Sequence, residues 1–382
     1  MARPLVADID LDALRHNYAL ARGLAGDSQA LAVIKADAYG HGAVACARAL
    51  ESLPEGERPP AFAVACLEEA EALRLGGIES PIVLLEGIFE AAELARVEAL
   101  GLWMAVHSEW QLQALLEHRP ARPIPVWVKV DSGMHRLGFA PEQVESVWQR
   151  LAAVPEYATG LQLMSHFATA DAVDAGYFET QLERMRDLAQ RLKAPLCLAN
   201  SPATLAWPQS HGSWVRPGVM LYGSDPLERP SEASRRLQPV MTLRSEIIAL
   251  RDLAEGEPVG YAGRWRAPRP SRIAVVACGY GDGYDRHAVD GTPVLVAGRC
   301  TAIAGKVSMD MLTVDVTDIP EARIGSEVIL WGRSRHGAVL SVDEVARHCD
   351  TISYTLLTGV LPRVPRRYHG MADPGTLVMN RT

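Results

Sequence analysis

Between residues 30 and 221, short apolar runs and helical patterns take turns, and this alternation limits the fold more than any other feature of the chain. Strand-like runs stand near 30–35, 61–66 (AFAVAC), 81–85 (PIVLL), 102–107 (LWMAVH), 124–130 (IPVWVKV), 160–165 (GLQLMS), 195–199 (PLCLA) and 214–221 (WVRPGVML). Helical patterns separate most of them. The clearest predicts a helix over 174–192, with Tyr177, Phe178, Gln181, Leu182, Met185, Leu188 and Leu192 along one face. Ahead of the first run, LVADID reads as a strand, and Asp10 as the N-cap of a helix carrying Leu11, Leu14, Tyr18 and Ala21. Eight strands alternating with helices is the count for a (β/α)8 TIM-type barrel. An open doubly wound sheet fits less well, because no GxGxxG turn follows the first strand.

From about residue 231 the texture changes. PLERPSEASRRLQP is polar and proline-bounded and reads as a linker. After it come VMTLRSEIIAL, RIAVVACGY, PVLVAGRCTAIAG, MLTVDVT and EVILWG, separated by glycine and proline turns. This pattern predicts an all-β domain, a small barrel. The expected organisation is α/β plus all-β: a barrel over 1–230 and a C-terminal β domain over 231–382, with residues 1–10 free to pair with the latter. At 382 residues the chain is too long for one ordinary core, which agrees with two domains.

The net charge of −8 argues against a nucleic-acid surface, and no apolar run is long enough to span a membrane. The segment MARPLVADIDLD lacks the features of a signal or transit peptide, so a cytoplasmic location is expected. The six cysteines show no CxxC spacing and read as small buried hydrophobes in a reducing compartment. Histidines 41, 135 and 166 lack HExxH or HxH spacing, so no metal site is expected.

Only four of the 38 basic residues are lysine: Lys35, Lys129, Lys193 and Lys306. A lysine kept among so many arginines points to chemistry that a guanidinium does not perform, such as forming a Schiff base. Lys35 is the leading candidate, because the apolar run LAVI delivers it into the loop ADAYGHG. Barrel active sites lie at the C-terminal ends of the strands. Those ends collect Lys35 and Tyr39, Lys129 with Arg136, His166, Asn200 with Ser201, and Arg216 with Gly218. Taken singly, most have bland readings: a hydrogen-bonded histidine, a helix start at Asn-Ser-Pro, a turn at Arg-Pro-Gly. Together they suit a phosphorylated, electron-withdrawing cofactor. Tyr39, Ser201 and the backbone N–H groups of Gly218 and Val219 suit the phosphate, and Arg216 a ring nitrogen.

VIKADAYGHG, KVDSGMHRLGF, SHFATAD, NSPATL, VRPGVMLYG, GYAGRW, GYGDGYDR, GKVSMDM and RVPRRY, in this order, closely resemble the bacterial alanine racemases. The resemblance runs from residue 5 to about 369. It implies an isomerase dependent on pyridoxal 5'-phosphate (PLP), interconverting L-alanine and D-alanine for peptidoglycan or for alanine catabolism. It also implies a homodimer whose active site is shared between subunits. By this resemblance Lys35 is the PLP lysine and one catalytic base, and Tyr261 is the second base. Tyr39, Ser201, Gly218, Val219 and Tyr354 match phosphate-binding positions, and Arg216 matches the partner of the pyridine nitrogen. His166 links that arginine to the tyrosine base. Arg136 and the Met309 backbone match the substrate-carboxylate contacts, and Lys129 a lysine often carbamylated in the family. Asp310, Asp171, Arg286, Ile352 and Tyr354 match residues around the site and its approach. Lys306 departs from the pattern, since the family usually has arginine there. Weaker readings are a racemase of broader spectrum, acting on serine or on larger or basic amino acids, and a non-catalytic PLP-binding protein. The second lacks the C-terminal β domain and the tyrosine.

Overall fold

The first strand, β1 (Val6–Asp10), ends on a residue whose side chain starts the next element. Asp10 Oδ1 accepts the amides of Asp12 and Ala13, both at 3.0 Å, and so caps the helix Leu11–Ala25. The computed structural model describes residues 3–172 and 176–370. They fall into two compact units: His16–Gln238, and the residues up to Arg15 together with those from Pro239 onward.

The unit His16–Gln238 is built on parallel strands: β2 (Gln29–Ala30), β3 (Ala32–Val33), β4 (Phe62–Val64), β5 (Ile82–Leu84), β6 (Leu102–Val106), β7 (Val126–Lys129), β8 (Gln162–Met164), β9 (Leu196–Cys197) and β10 (Trp214–Val215). The sheet runs β2-β10-β9-β8-β7-β6-β5-β4-β3. Its two ends, β2 and β3, are separated only by Leu31, so they act as one strand that closes the sheet on itself. On one side Gln29, Leu31 and Val33 donate to Ser213, Val215 and Pro217; on the other Ala32 and Ile34 donate to Ala61 and Ala63. The result is the eight-stranded TIM-type barrel that the alternation predicts. Strands β4, β5 and β7 are buried along their whole length, as expected when helices cover a parallel sheet.

The barrel is filled, with no pore through it. Trp103 on β6, Trp127 on β7 and Trp214 on β10 approach one another with ring centroids 5.5 to 6.3 Å apart. Because β10 adjoins neither β6 nor β7 in the sheet, these rings meet across the interior. Trp127 and Lys129 stand two residues apart on β7 and share a face, so the tryptophans form a layer beneath Lys129.

The other unit is antiparallel for the most part. It contains β11 (Met241–Leu253), β12 (Pro258–Val259), β13 (Trp265–Arg266), β14 (Ser271–Val276), β15 (Pro293–Val296), β16 (Arg299–Ile303), β17 (Leu312–Asp315), β18 (Glu327–Arg333), β19 (Val339–Leu340) and β20 (Arg366–His369). The long strand β11 pairs with both β14 and β18, which closes the ring β11-β14-β17-β16-β15-β18. A register irregularity between Ile247 and Ala249 lets β11 bend around that ring. β1 lies between β11 and β20, antiparallel to the first and parallel to the second. The predicted small β barrel is therefore present. Among the described residues no helix is long and apolar enough to cross a membrane.

Replacing Trp127, which is fully buried, by alanine removes the centre of the tryptophan layer. The expected loss is about 3–5 kcal/mol of unfolding free energy. Urea denaturation followed by circular dichroism measures it, and a loss well under 1 kcal/mol would show that the layer does not support the barrel.

Candidate active site

Strand β3 runs out at Val33, and Lys35 opens the turn that follows. That turn is left-handed: Ala36, Asp37, Ala38 and Tyr39 all have φ between 52° and 54°. None is glycine, so the segment expected as a loop is a constrained left-handed turn. Four such residues in the left-handed region cost about 4–8 kcal/mol at roughly 1–2 kcal/mol each. The surroundings hold the geometry. Ala38 donates to the Ile34 carbonyl at 2.9 Å and Gly42 to the Asp37 carbonyl at 2.8 Å. Asp37 Oδ1 accepts the Ala43 amide at 2.8 Å. The buried His41 ring lies with Nδ1 2.9 Å from the carbonyls of Ala38 and Tyr39, and stacks on Tyr222 with centroids 4.6 Å apart. Tyr222 in turn donates to the Val33 carbonyl at 3.0 Å, tying the turn to the strand that precedes it.

The turn carries the Tyr39 hydroxyl to Gly218. A Cβ at 218 would stand 2.6 Å from that hydroxyl, so only glycine admits the approach. Ser201 Oγ completes the cradle by accepting the amides of Gly218 at 2.8 Å and Met220 at 3.3 Å. Val219 begins the short 3-10 turn Val219–Tyr222 directly after Gly218. Asn200 sits one residue before Ser201, and its side-chain oxygen accepts the Ala203 amide at 3.2 Å as the N-cap of the helix Ser201–Ala206. Hydroxyls and amides gathered at two helical starts are a donor set for an anion.

Arg216 is buried beside this cradle. Its Nη1 donates to the Cys197 carbonyl at 2.5 Å, and its Nη2 to the carbonyls of Ser165 at 2.6 Å and Leu198 at 3.2 Å. Among the described residues no carboxylate pairs with it directly. Lys129, also buried, donates to the Leu85 carbonyl at 3.1 Å. Burial, then Arg216 and Arg136, push its amine down to about 8, with Glu86 opposing. Burial also holds the Lys35 amine below the usual lysine range; Glu86 opposes this, Arg136 reinforces it, Glu69 opposes and Arg216 reinforces. Burial and the four cations Arg216, Arg136, Lys129 and Lys35 hold the His166 imidazole well below its ordinary value, which leaves it neutral. The mouth of the barrel is thus strongly positive.

A small cleft lined by Lys129, Asp131, Met134, Arg136, Ser165 and His166 opens beside these groups. Its wall is the loop 131–138, closed at its base by reciprocal hydrogen bonds between Phe139 and the Lys129–Asp131 segment. Asp131 Oδ1 accepts the amides of Gly133 and His135. From the helix Gly176–Leu192, Gln181 donates to Ser132 Oγ at 3.0 Å and to the His166 carbonyl at 3.2 Å, and Arg184 donates to the Ser132 carbonyl at 2.9 Å. Asp171 lies in an exposed turn whose carbonyl accepts the Glu228 amide.

Tyr261, Arg286, Lys306, Met309, Asp310, Ile352 and Tyr354 belong to the second unit. Tyr261 stands at the tip of the β12–β13 hairpin and is 64% exposed. Arg264 braces that tip through the carbonyls of Ala288 and Gly305 and through Asp290. Lys306 follows Gly305 and is half-buried. Met309 is held by its backbone: its carbonyl accepts the Gly281 amide at 2.8 Å, while Arg363 pairs with Asp310 at 2.7 Å. Arg3 and Arg363 both reach the buried Asp282 carboxylate. Burial acts to raise the carboxyl of Asp282, and their hydrogen bonds hold it below the usual range. Arg286 lies 5.5 Å from the centre of the Tyr280 ring. Ile352 is exposed, and Tyr354 is half-buried in the helix Ser353–Gly359.

These features define a class: a (β/α)8 barrel with an appended β barrel, built around one half-buried lysine and a donor cradle for an anion. Residues 9–226 match the alanine racemase N-terminal domain, and residues 240–368 the alanine racemase C-terminal domain. The alanine racemase of Chromohalobacter salexigens is 70% identical over 368 residues, 96% of this chain and 98% of that protein. A catabolic alanine racemase of Pseudomonas putida is 52% identical over 96% of this chain and 99% of its own. The crystal structure of the biosynthetic alanine racemase from Pseudomonas aeruginosa superposes with a TM-score of 0.90 at 50% identity, covering 96% of this chain and 99% of that one. The chain belongs to the alanine racemase family, whose members depend on PLP.

With only four lysines in the chain, each side-chain amine is separable by NMR after selective 15N-lysine labelling. In PLP-free protein kept free of carbon dioxide, the Lys129 Nζ signal is expected to titrate with a midpoint of about 8. A midpoint in the ordinary lysine range of about 10.4 would mean that the positive mouth of the barrel does not act on it.

Proposed function

We propose that the protein is a PLP-dependent alanine racemase, acting on L-alanine and D-alanine by removing the α-proton from one face and returning a proton to the other. The carrying observation is that Lys35, the Tyr39–Gly218–Ser201 cradle and the buried Arg216 gather at one barrel mouth. The cofactor fits this donor set. Tyr39, Ser201, Gly218 and Val219 would take its phosphate, with Tyr354 as a further donor and Asn200 holding the helix start beneath it. Arg216 would face its ring nitrogen, and Lys35 would bind it covalently. When bound, PLP supplies the sink for the electron pair left at the α-carbon.

The chain's own groups do the rest. Lys35 Nζ, held below the usual lysine range, takes the α-proton on one face as the amine and returns one as the ammonium. Tyr261 serves the opposite face through its phenol oxygen. The guanidinium of Arg136 and the Met309 amide hold the substrate carboxylate. Arg216 keeps its proton, so the ring nitrogen it faces is not protonated through it. The neutral His166 relays between Arg216 and the tyrosine. Lys129, about half deprotonated at a pH of about 8, is able to add carbon dioxide through its neutral amine and release a proton to solvent, giving a carbamate whose negative charge would orient Arg136. Asp171, Arg286, Lys306, Asp310 and Ile352 line the approach, with Lys306 setting a reach different from that of the family's arginine.

We further infer a homodimer in which each site takes Tyr261 from the partner. Support comes from the exposure of Tyr261, Met309 and Ile352 on the second unit. A cytoplasmic location is supported by six cysteines, all in the described residues, that form no disulfide. Relatives carry both biosynthetic and catabolic names, so the product serves either peptidoglycan or alanine catabolism.

A chiral assay on purified protein is expected to give D-alanine from L-alanine, and the reverse, in the presence of PLP. No D-alanine would overturn the reading, and turnover of larger amino acids alone would replace it with a racemase of another substrate class. Mixing inactive Lys35→Ala and Tyr261→Ala subunits is expected to restore up to about a quarter of the activity, because one site in four of a randomly mixed dimer set is intact. Mixtures that stay inactive would argue against a shared site.

A further inference from the structure

We propose that Glu69 is a positioning residue that aims Lys35 by anchoring the first amide of the left-handed turn. This rests on the reading of Lys35 as the cofactor lysine. Glu69 lies in the first turn of the helix Leu67–Leu75, which follows β4, the strand beside β3. Its Oε1 accepts the Ala36 amide at 2.6 Å and its Oε2 accepts the Ala65 amide at 2.7 Å. One carboxylate therefore bridges the peptide directly after Lys35 and the chain leaving the neighbouring strand.

Ala36 is where the backbone changes hand. The turn's own hydrogen bonds begin later, with Ala38 donating to Ile34, so nothing inside the turn takes the Ala36 amide. Glu69 fixes that peptide plane, and with it the direction in which the Lys35 Cα–Cβ bond leaves the strand. Asp37 does the corresponding work at the far end through the Ala43 amide. The turn is thus held between two carboxylates.

A blander role exists, since an anion in the first turn of a helix favours the helix dipole. Glu68 provides the control. It occupies the same turn, is exposed, and makes no bond to Ala36. Charge separates the roles a second time. The groups acting on the Lys35 amine are Glu86 after β5, Arg136 in the loop after β7, Glu69, and Arg216 after β10. Of these Glu69 and Glu86 favour the protonated amine, so removing the Glu69 charge drives Lys35 further down.

The test uses the full-length protein loaded with PLP and three variants, Glu69→Gln, Glu69→Asp and Glu68→Gln. The readouts are PLP fixed on Lys35 by borohydride and mapped by peptide mass spectrometry, kcat and KM for alanine, and the pH profile of kcat, which reports groups of the substrate complex, where Lys35 is a free amine. Glu69→Gln is expected to lower fixation and kcat by about 10- to 100-fold, the range for losing a hydrogen bond to a charged group. It should also move the acid limb of the profile to lower pH. Glu69→Asp, too short to span both amides, should lose rate while its limb stays in place. Glu68→Gln should match the wild type in all three. Wild-type behaviour of Glu69→Gln, or equal damage from Glu68→Gln, overturns the proposal. Wild-type protein that fixes no PLP on Lys35 overturns instead the reading on which it rests.

Discussion

The barrel closes through one short strand, and its closure and its chemistry are set by the same hydrogen bonds. Residues 29–33 pair with β10 on one side and β4 on the other, so their register is fixed from both sides. A slip of one residue would turn Val33 and Lys35 to the other face and leave the ring open at its narrowest seam. The lysine two residues beyond Val33 is therefore placed by the backbone of the whole sheet. The same holds on the opposite side, where Val33 donates to Pro217, the residue between Arg216 and Gly218. Strand pairing brings the lysine, the guanidinium and the amide cradle into one constellation before any side chain is considered.

What side chains add is charge. Lys35, Lys129, Arg136 and Arg216 act on His166 together, and the acids that reach Lys35 are Glu69 and Glu86. Arg216 has carbonyl oxygens in place of a counter-ion. A site so arranged is electrostatically unfinished and gains from a multiply charged anion. That preference also explains why arginine serves at 216. Its planar fork takes carbonyls at the ends of β8 and β9 at once, which a lysine ammonium would do with less directional control.

Much of this architecture was legible in the sequence because it is periodic. Buried strands such as FAV and IVL announce themselves as apolar runs, and the helix over 176–192 by Phe178, Gln181, Leu182, Met185 and Leu188, all buried in the structure. The candidate residues in the barrel were legible because they follow such runs. The left-handed turn was not. Ala36, Asp37, Ala38 and Tyr39 carry no signal for positive φ, since the conformation is imposed by bonds from Glu69, His41 and Tyr222, which lie outside the four. Glu69 itself, in CLEEAEALRL, looks like any acid in the first turn of a helix. Gln181 reads as part of a core stripe, while in space it ties the loop after β7 to the end of β8. Residues that act on a site from the next element over have no local pattern to betray them.

The tryptophan layer below Lys129 has an optical consequence. Trp103, Trp127 and Trp214 are grouped in the barrel interior, under the end where Lys35 stands. Their emission overlaps the absorption of any conjugated pyridine chromophore carried on that lysine, and excitation energy passes readily over such short separations. Packing that fills the barrel also makes it luminescent from within, so the fold reports the occupancy of its own mouth without an added label.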